Sequence, residues 1–108
     1  MTMHKDYPYQ SVLAPFIRDF IAEKRLLGFS YDGKSYQLYR FDQYWMDNGY
    51  DDIHLTTERL EKWICALPGE SKSSQSGRIS AAKSLAVYLN TQGIACDVPL
   101  VNVGKKHP

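Results

Sequence analysis

The chain has 108 residues, of which 44% are hydrophobic and 23% charged, a composition that excludes a disordered chain and fits one globular domain. Its formal net charge of +1 excludes a uniformly basic polyanion binder, so any nucleic-acid role requires charge sorted onto one face. No apolar run approaches the roughly 20 residues that cross a bilayer, and the first ten residues contain no signal-peptide h-region, so we expect a cytoplasmic protein with no membrane partner.

The first predicted helix covers residues 11–28 and follows a segment, residues 1–10, that we expect to be flexible. Ser11 is the expected N-cap, Pro15 is tolerated near the first turn, and Gly28 suits the left-handed residue that follows a helix. The positions predicted to share the inward face are Leu13, Phe16, Ile17, Phe20, Lys24 and Leu27.

The second predicted helix covers residues 32–49, with an apolar stripe of Leu38, Phe41 and Trp45 and a stop at Gly49. Its opposite face carries Tyr36, Tyr39, Arg40 and Gln43. The tyrosines of this face allow two interpretations, because half-buried tyrosines serve either as amphipathic cover for a bundle or as a contact surface.

The third predicted helix covers residues 56–69, with Thr56 as its N-cap and Pro68-Gly69 as its stop. The side chains predicted to point inward are Leu60, Trp63, Ile64 and Leu67. Cys65 lies in the same apolar run and is predicted to be a small core residue, and with Cys96 it could form at most one disulfide.

The fourth predicted helix starts near Ser73 or Ser74 and runs to Gln92, before Gly93. Its apolar face consists of Ile79, Ala82, Leu85, Ala86 and Leu89. Its opposite side carries the small residues Ser73, Ser76, Gly77, Ser80 and Ser84, with Lys83 at the flank. The tail has no helical period, and Val98, Leu100, Val101 and Val103 could form a short extended piece. Four helices with short connections predict an all-α fold, a small four-helix bundle.

Sequence motifs for catalysis do not occur in this chain. We find no H-E-x-x-H, C-x-x-C, P-loop or G-x-S-x-G motif. The three histidines, His4, His54 and His107, fall on predicted loops and ends, and Asp51-Asp52 reads as a solvated turn. We therefore predict no catalytic residue, no metal site and no cofactor.

The order of three stretches carries a family resemblance: "GFSYDGKSYQLYRFDQYW", "LTTERLEKWI" and "SGRISAAKSLAVYLNTQGIACDVP". Together they resemble the N-terminal core-binding domain of tyrosine recombinases, the phage-integrase-type site-specific recombinases, over residues 12–99. The most specific parts are Phe41-Asp42, the Thr56 and Trp63 pair, and Arg-Ile…Leu-Ala-x-Tyr-Leu-x-x-x-Gly followed by Val-Pro. The resemblance implies a SAM-like bundle of four helices, here expected over residues 11–99.

The resemblance also implies a function. Such a domain clamps one side of the core-site duplex during DNA integration or recombination, while a separate catalytic domain clamps the other side and exchanges strands. The family's tyrosine nucleophile with its arginines, histidine and lysine is not recognisable here, so this domain is not expected to be an enzyme. Residues 100–108 are expected to be a tail leading toward an absent catalytic domain, whether the chain is an excised piece or a truncated gene product.

The implied partners are double-stranded DNA and other recombinase protomers in a synaptic complex, with association to the nucleoid when bound. The resemblance places the second and fourth helices against the major groove. The residues it assigns to DNA are Lys34, Ser35, Tyr36, Arg40 and Gln43 on the second helix and Lys72, Ser73, Ser74, Gln75, Ser76, Arg78 and Lys83 on the fourth. Arginine, lysine and glutamine can reach base edges, whereas serine and tyrosine mostly reach phosphates.

Each assignment has an alternative. Ser73 and Ser74 could be helix caps, Arg78 could pair with a carboxylate inside the bundle, and the lysines could be solvated. The whole domain could instead be a helical protein–protein interaction module that docks a partner on Tyr36, Tyr39 and Tyr44, or a free-standing regulator that binds DNA as a dimer.

Overall fold

A computed structural model describes residues 7–65 and 68–98, which form four α-helices and no strand. The all-α class predicted from the sequence is confirmed, and four helices are compatible with a small bundle. The helices are α1 (Ala14–Leu26), α2 (Asp32–Asp47), α3 (Thr57–Ile64) and α4 (Lys72–Thr91). No helix within the described ranges is both long enough and apolar enough to cross a membrane.

The chain divides into two compact units, with the boundary between Ile53 and His54. The first unit contains α1 and α2, which pack against each other, and the second contains α3 and α4, which do the same.

The core of the first unit follows the predicted helical faces in part, because Phe16 and Lys24 are only half-buried and Leu27 is exposed. Leu13, Ile17, Phe20, Leu38, Phe41 and Trp45 are all buried, as expected. Leu27 was predicted to point inward, which is wrong: its side chain is 65% exposed. The reason is that α1 ends at Leu26, so Leu27 no longer follows the helical face.

The residues before α1 pack onto α2. Tyr9 is buried, and its hydroxyl donates to the Ser35 carbonyl at 2.9 Å. Asp42 is fully buried and accepts hydrogen bonds from the backbone N–H groups of Gln10 and Ser11, both at 2.9 Å. The flexible segment expected up to residue 10 therefore does not include residues 7–10, and residues 1–6 lie outside the described part of the chain.

Helix α1 begins without the predicted cap. Its N-cap position is Leu13, and Ser11 does not cap the helix but accepts a hydrogen bond from the Leu13 N–H at 3.0 Å. Pro15 occupies the first turn, as predicted, and Gly28 adopts φ +100°, the left-handed conformation expected after the helix end.

The second unit is built around α3 and α4. Leu60 and Trp63 of α3 are buried together with the predicted apolar face of α4, and the Thr56 side chain caps α3 by accepting from the Arg59 N–H at 3.3 Å. Ile64 is half-buried, and Leu67 lies outside the described residues. Cys65 was predicted to be a core residue, but it is exposed because α3 ends at Ile64.

The segment after α4 is held against the residues before α3. The Asp97 N–H donates to the Leu55 carbonyl at 2.7 Å, and the Asp97 carboxylate accepts from the Thr57 N–H at 2.7 Å and the Thr57 hydroxyl at 2.9 Å. Asn90 bonds both the N–H and the carbonyl of Cys96. Of the predicted extended piece, Val98 is half-buried and the rest lies outside the described residues.

Candidate nucleic-acid interface

The outward face of α2 brings together three of the five residues assigned to DNA on this helix. Tyr36, Arg40 and Gln43 follow each other at spacings of four and three residues, so they share one face of the helix. Tyr36 is 45% exposed, and Arg40 and Gln43 are half-exposed. This face therefore presents one guanidinium, one amide and one phenol to the outside.

Ser35 does not belong to that face. It is 1% exposed, and its hydroxyl donates to the Tyr31 carbonyl at 2.6 Å. The assignment of Ser35 to DNA was therefore wrong, because its side chain lies inside the first unit and completes a local bond one turn back. A serine in the first turn of a helix often makes such a local bond.

Lys34 is also separated from the Arg40 face. Its ammonium lies 6.0 Å from the centre of the Tyr31 ring. Two positions along a helix correspond to a rotation of about 200°, so Lys34 and Tyr36 point in nearly opposite directions around α2. Lys34 is half-exposed, and any anion that it binds is not bound through the Tyr36, Arg40 and Gln43 face.

The tyrosines of the first unit divide between an outward position and two aromatic clusters. Tyr39 stacks on Tyr7 with ring centres 5.3 Å apart, and Tyr7 also contacts Tyr36 at 5.8 Å. Tyr44 contacts Phe41 at 5.8 Å and is half-buried. Tyr36, Tyr39 and Tyr44 therefore do not form one exposed docking face.

The outward surface of α4 carries most of the residues assigned to it. Lys72, Ser73, Ser74, Ser76 and Lys83 are all exposed, but Ser74 lies two positions from Ser76 and points in nearly the opposite direction around α4. The cap of the helix is Ser71, whose hydroxyl accepts from the Ser74 N–H at 3.1 Å, so the alternative that Ser73 or Ser74 is the cap was wrong. Helix α4 contains no acidic residue in its 20 positions, and its first turn has the partial positive charge of a helix N-terminus.

Gln75 and Arg78 turn away from this surface. The Gln75 side-chain amide donates to the Ile64 carbonyl at 2.9 Å. Arg78 is 2% exposed, and its guanidinium donates to both carboxylate oxygens of Glu70 at 2.7 Å. The assignment of Arg78 to DNA was therefore wrong, and the alternative, an ion pair with a carboxylate, is what the structure contains.

Arg78 also organises the end of α3. Its guanidinium donates to the carbonyls of Trp63 and Cys65, the latter at 2.9 Å, and its centre lies 5.0 Å from the middle of the Trp63 ring. In return, the Trp63 indole N–H donates to the Arg78 carbonyl at 2.9 Å. Arg78 thus satisfies carbonyls that α3 leaves without helical partners.

The sequence distributes charge unequally between the two units. Residues 1–53 contain six basic and eight acidic side chains, net −2, and residues 54–108 contain seven basic and four acidic ones, net +3. On α2 Asp32 lies in the first turn, Asp42 is buried and Asp47 ends the helix, with Asp51 and Asp52 following, while Glu58 and Glu61 lie on α3. Helix α4, which has no acidic residue, is therefore separated along the chain from the carboxylates of α2 and α3.

Sequence reasoning missed three polar residues with defined roles. Glu70 was assigned no role, Asp42 served only as part of a motif of the family resemblance, and Lys24 was placed on an inward face. Only one of the three contacts could be inferred from sequence spacing, because Phe20 and Lys24 are four residues apart and so neighbour each other on one helix. The contacts of Glu70 and Asp42 join residues eight and 31 positions apart.

The described residues contain no cluster of three or more His, Cys, Asp and Glu side chains that could hold a metal ion. His54 Nδ1 lies 2.8 Å from the Ala95 carbonyl oxygen, and neither Cys65 nor Cys96 forms a disulfide. Comparison with known proteins gave no relative: no family model, no curated protein and no solved structure matches this chain.

Proposed function

We propose that this chain is a DNA-binding module of the tyrosine-recombinase type, which holds core-site duplex DNA and has no catalytic residues of its own. The observation that carries the proposal is the outward surface of α4, where serine hydroxyls and lysines are exposed on a helix without a single acidic side chain. The resemblance of the ordered sequence motifs to recombinase core-binding domains supports it independently.

The chemistry of the two surfaces fits different parts of a duplex. Ser73, Ser74 and Ser76 lie in the first turns of α4, where hydroxyls and a helix N-terminus suit phosphate oxygens. Arg40 and Gln43 of α2 are the residues that can read bases, since guanidinium pairs with guanine and a carboxamide with adenine in the major groove. The α4 surface then supplies affinity and the α2 face supplies discrimination.

The number of cations limits the expected affinity. On these two surfaces the exposed or half-exposed cations are Arg40, Lys72 and Lys83. Because each neutralised phosphate contributes about 0.9 to the slope of log affinity against log salt, three contacts correspond to a slope of about −2.7. We expect weak binding that falls steeply as salt is raised.

The test is a fluorescence-anisotropy titration of a labelled inverted-repeat duplex at two salt concentrations. The native chain is compared with the double variant Arg40→Ala and Lys83→Ala, and with Lys62→Ala, a control at an exposed position of α3. The proposal predicts salt-dependent binding that the double variant weakens and the control retains. Absence of binding at low salt, or equal binding by all three proteins, would contradict it.

A protein–protein interaction module remains the second candidate, favoured by one observation. The last residue of α1 and the loop after it expose three large apolar side chains: Leu26 at 88%, Leu27 at 65% and Phe29 at 56%. Apolar side chains grouped at one turn are typical of contact sites. This candidate predicts that the protein does not bind duplex DNA. It also predicts that Leu27→Ser leaves the fold intact but abolishes association with a partner.

A further inference from the structure

Two lysines from different helices of the first unit lie over adjoining aromatic rings where α1 leads into α2. The Lys24 ammonium lies 5.7 Å from the centre of the Phe20 ring, and the Lys34 ammonium lies 6.0 Å from the centre of the Tyr31 ring. The two rings meet edge to face, with centres 5.6 Å apart and planes at 90°. One continuous aromatic support therefore carries both ammonium groups.

The backbone maintains this support at some cost. Tyr31 adopts φ 61°, a left-handed conformation that is unfavourable for a residue with a Cβ. The conformation places Tyr31 at the N-cap of α2 without a side-chain cap bond, and its ring reaches Phe20 of α1. Such strain persists only where surrounding contacts over-determine it. Here those contacts include the Phe20 ring and the Lys34 side chain.

The position of the Lys24 ammonium is not explained by hydrogen bonding to the last carbonyls of α1. Basic residues in a last turn often bond the terminal carbonyls. In α1 the Lys24 carbonyl already accepts from the Phe29 N–H at 3.0 Å, and the Arg25 carbonyl accepts from the Gly28 N–H at 3.0 Å. The Lys24 ammonium instead lies over Phe20, one turn back toward the N-terminus.

Bringing the two ammonium groups together has an electrostatic cost. Burial lowers the pKa of Lys34, and the positive charge of Lys24 lowers it further. Arg25 and Asp32, which lie close to these lysines in the sequence, pair with each other at 3.4 Å. An anion that contacts both lysines would offset their repulsion.

We propose that Lys24 and Lys34 form a two-point clamp for one backbone phosphate of duplex DNA, outside the Tyr36, Arg40 and Gln43 face. This inference rests on the proposed function, since it takes the anion to be a phosphodiester of a bound duplex. A phosphodiester has two non-bridging oxygens, and each lysine offers a compact charge with three donors. The aromatic rings hold the lysine stems, which lowers the entropy lost on binding.

The test uses methionine substitutions, which keep an unbranched apolar stem over each ring and remove the charge. Lys24→Met, Lys34→Met and the double variant are compared with the native chain and with Lys62→Met, after circular dichroism confirms their helix content. Binding of a fluorescein-labelled duplex longer than two helical turns is measured between about 50 and 200 mM salt. Proton–carbon NMR of the lysine side chains is recorded with the same duplex and separately with inorganic phosphate.

The expected result is a fall in the salt slope of about 0.9 for the double variant, because both lysines share one phosphate, and no change for Lys62→Met. The Lys24 and Lys34 resonances should shift with duplex. If the native chain binds duplex with a slope that the double variant retains, the clamp is refuted and the proposed function stands. If the native chain binds no duplex, both the clamp and the proposed DNA-binding function are refuted. Shifts with inorganic phosphate but not with duplex would overturn the phosphodiester assignment.

Discussion

Ser11 and Asp42 are joined by a buried hydrogen bond of 2.6 Å, from the serine hydroxyl to Oδ1 of the carboxylate. The same oxygen accepts from the Ser11 N–H, and the second oxygen accepts from the Gln10 N–H. Asp42 is therefore the point at which α2 holds the chain that leads into α1. The Phe41-Asp42 pair, one of the motifs behind the family resemblance, acts here in packing the first unit.

Replacement of Asp42 tests this role. We predict that Asp42→Asn lowers the free energy of unfolding by about 2 kcal/mol, because charge-assisted hydrogen bonds are lost in a buried site. Urea unfolding followed by circular dichroism measures the change. Asp47→Asn is the matched control, since Asp47 is the exposed last residue of α2, and it should change stability by less than about 0.5 kcal/mol. Equal stability of Asp42→Asn and the native chain would refute the role.

The ion pair of Glu70 and Arg78 is the second site where we predict that a substitution lowers the free energy of unfolding. Glu70→Gln leaves a buried guanidinium without its counter-charge, and we expect a loss of about 3 kcal/mol. Arg78→Met alone should cost a similar amount. The double variant should lose less unfolding free energy than the sum of the two single losses. A double-mutant cycle from urea unfolding checks this. Additive losses would show that the two side chains do not interact.

Because the pKa of Tyr9 is raised in the folded protein, we predict that the free energy of unfolding falls at alkaline pH. Burial raises its pKa from 10.0 to about 12, although the hydrogen bond to Ser35 acts in the opposite direction. Because the folded pKa exceeds the unfolded one, the stabilisation is complete below pH 10 and is lost as the pH rises through 12, an amount of about 2 kcal/mol. The measurement is the difference in unfolding free energy between the native chain and Tyr9→Phe across this window. A difference independent of pH would contradict the assignment.

The two thiols should differ in reactivity. Cys65 is exposed, whereas Cys96 is half-buried and burial raises its pKa, with the charge of Asp97 adding to the effect. Since the thiolate is the reactive form, a disulfide reagent should label Cys65 first. We expect Cys65→Ser to remove the fast phase and Cys96→Ser to keep it. A fast phase that disappears with Cys96→Ser would show the reverse order.

Helical periodicity predicted much of the fold because the signals are local. The stripe of Leu38, Phe41 and Trp45 and the stops at Gly28 and Gly93 all depend on neighbours within one or two turns. Helix ends were less predictable, and this explains the errors at Leu27 and Cys65. Both residues continue an apolar pattern past the point where the helix stops.

The candidate site was harder to predict, because helical angle indicates which side chains point outward but not what they meet. Arg78 looked available for DNA, yet a carboxylate from a polar connection holds it. Ser73 and Ser74 looked like caps, yet Ser71 occupies that position. Lys34 was assigned to DNA together with Arg40, yet helical rotation separates it from the Tyr36, Arg40 and Gln43 face, and its ammonium lies 6.0 Å from the Tyr31 ring centre. The outcomes at Arg78 and at Ser73 and Ser74 depend on a tertiary contact and on a helix boundary shifted by a few residues.

The most direct measurement is an amide-resolved NMR titration of the native chain with duplex DNA at low salt. The account predicts that the largest shifts occur at Lys72–Ser76 and Lys83 of α4 and at Tyr36, Arg40 and Gln43 of α2, with little change at Glu58 and Glu61 of α3. Raising the salt should reverse the shifts. Absence of any shift, or shifts centred on Leu26, Leu27 and Phe29, would contradict DNA binding through these surfaces.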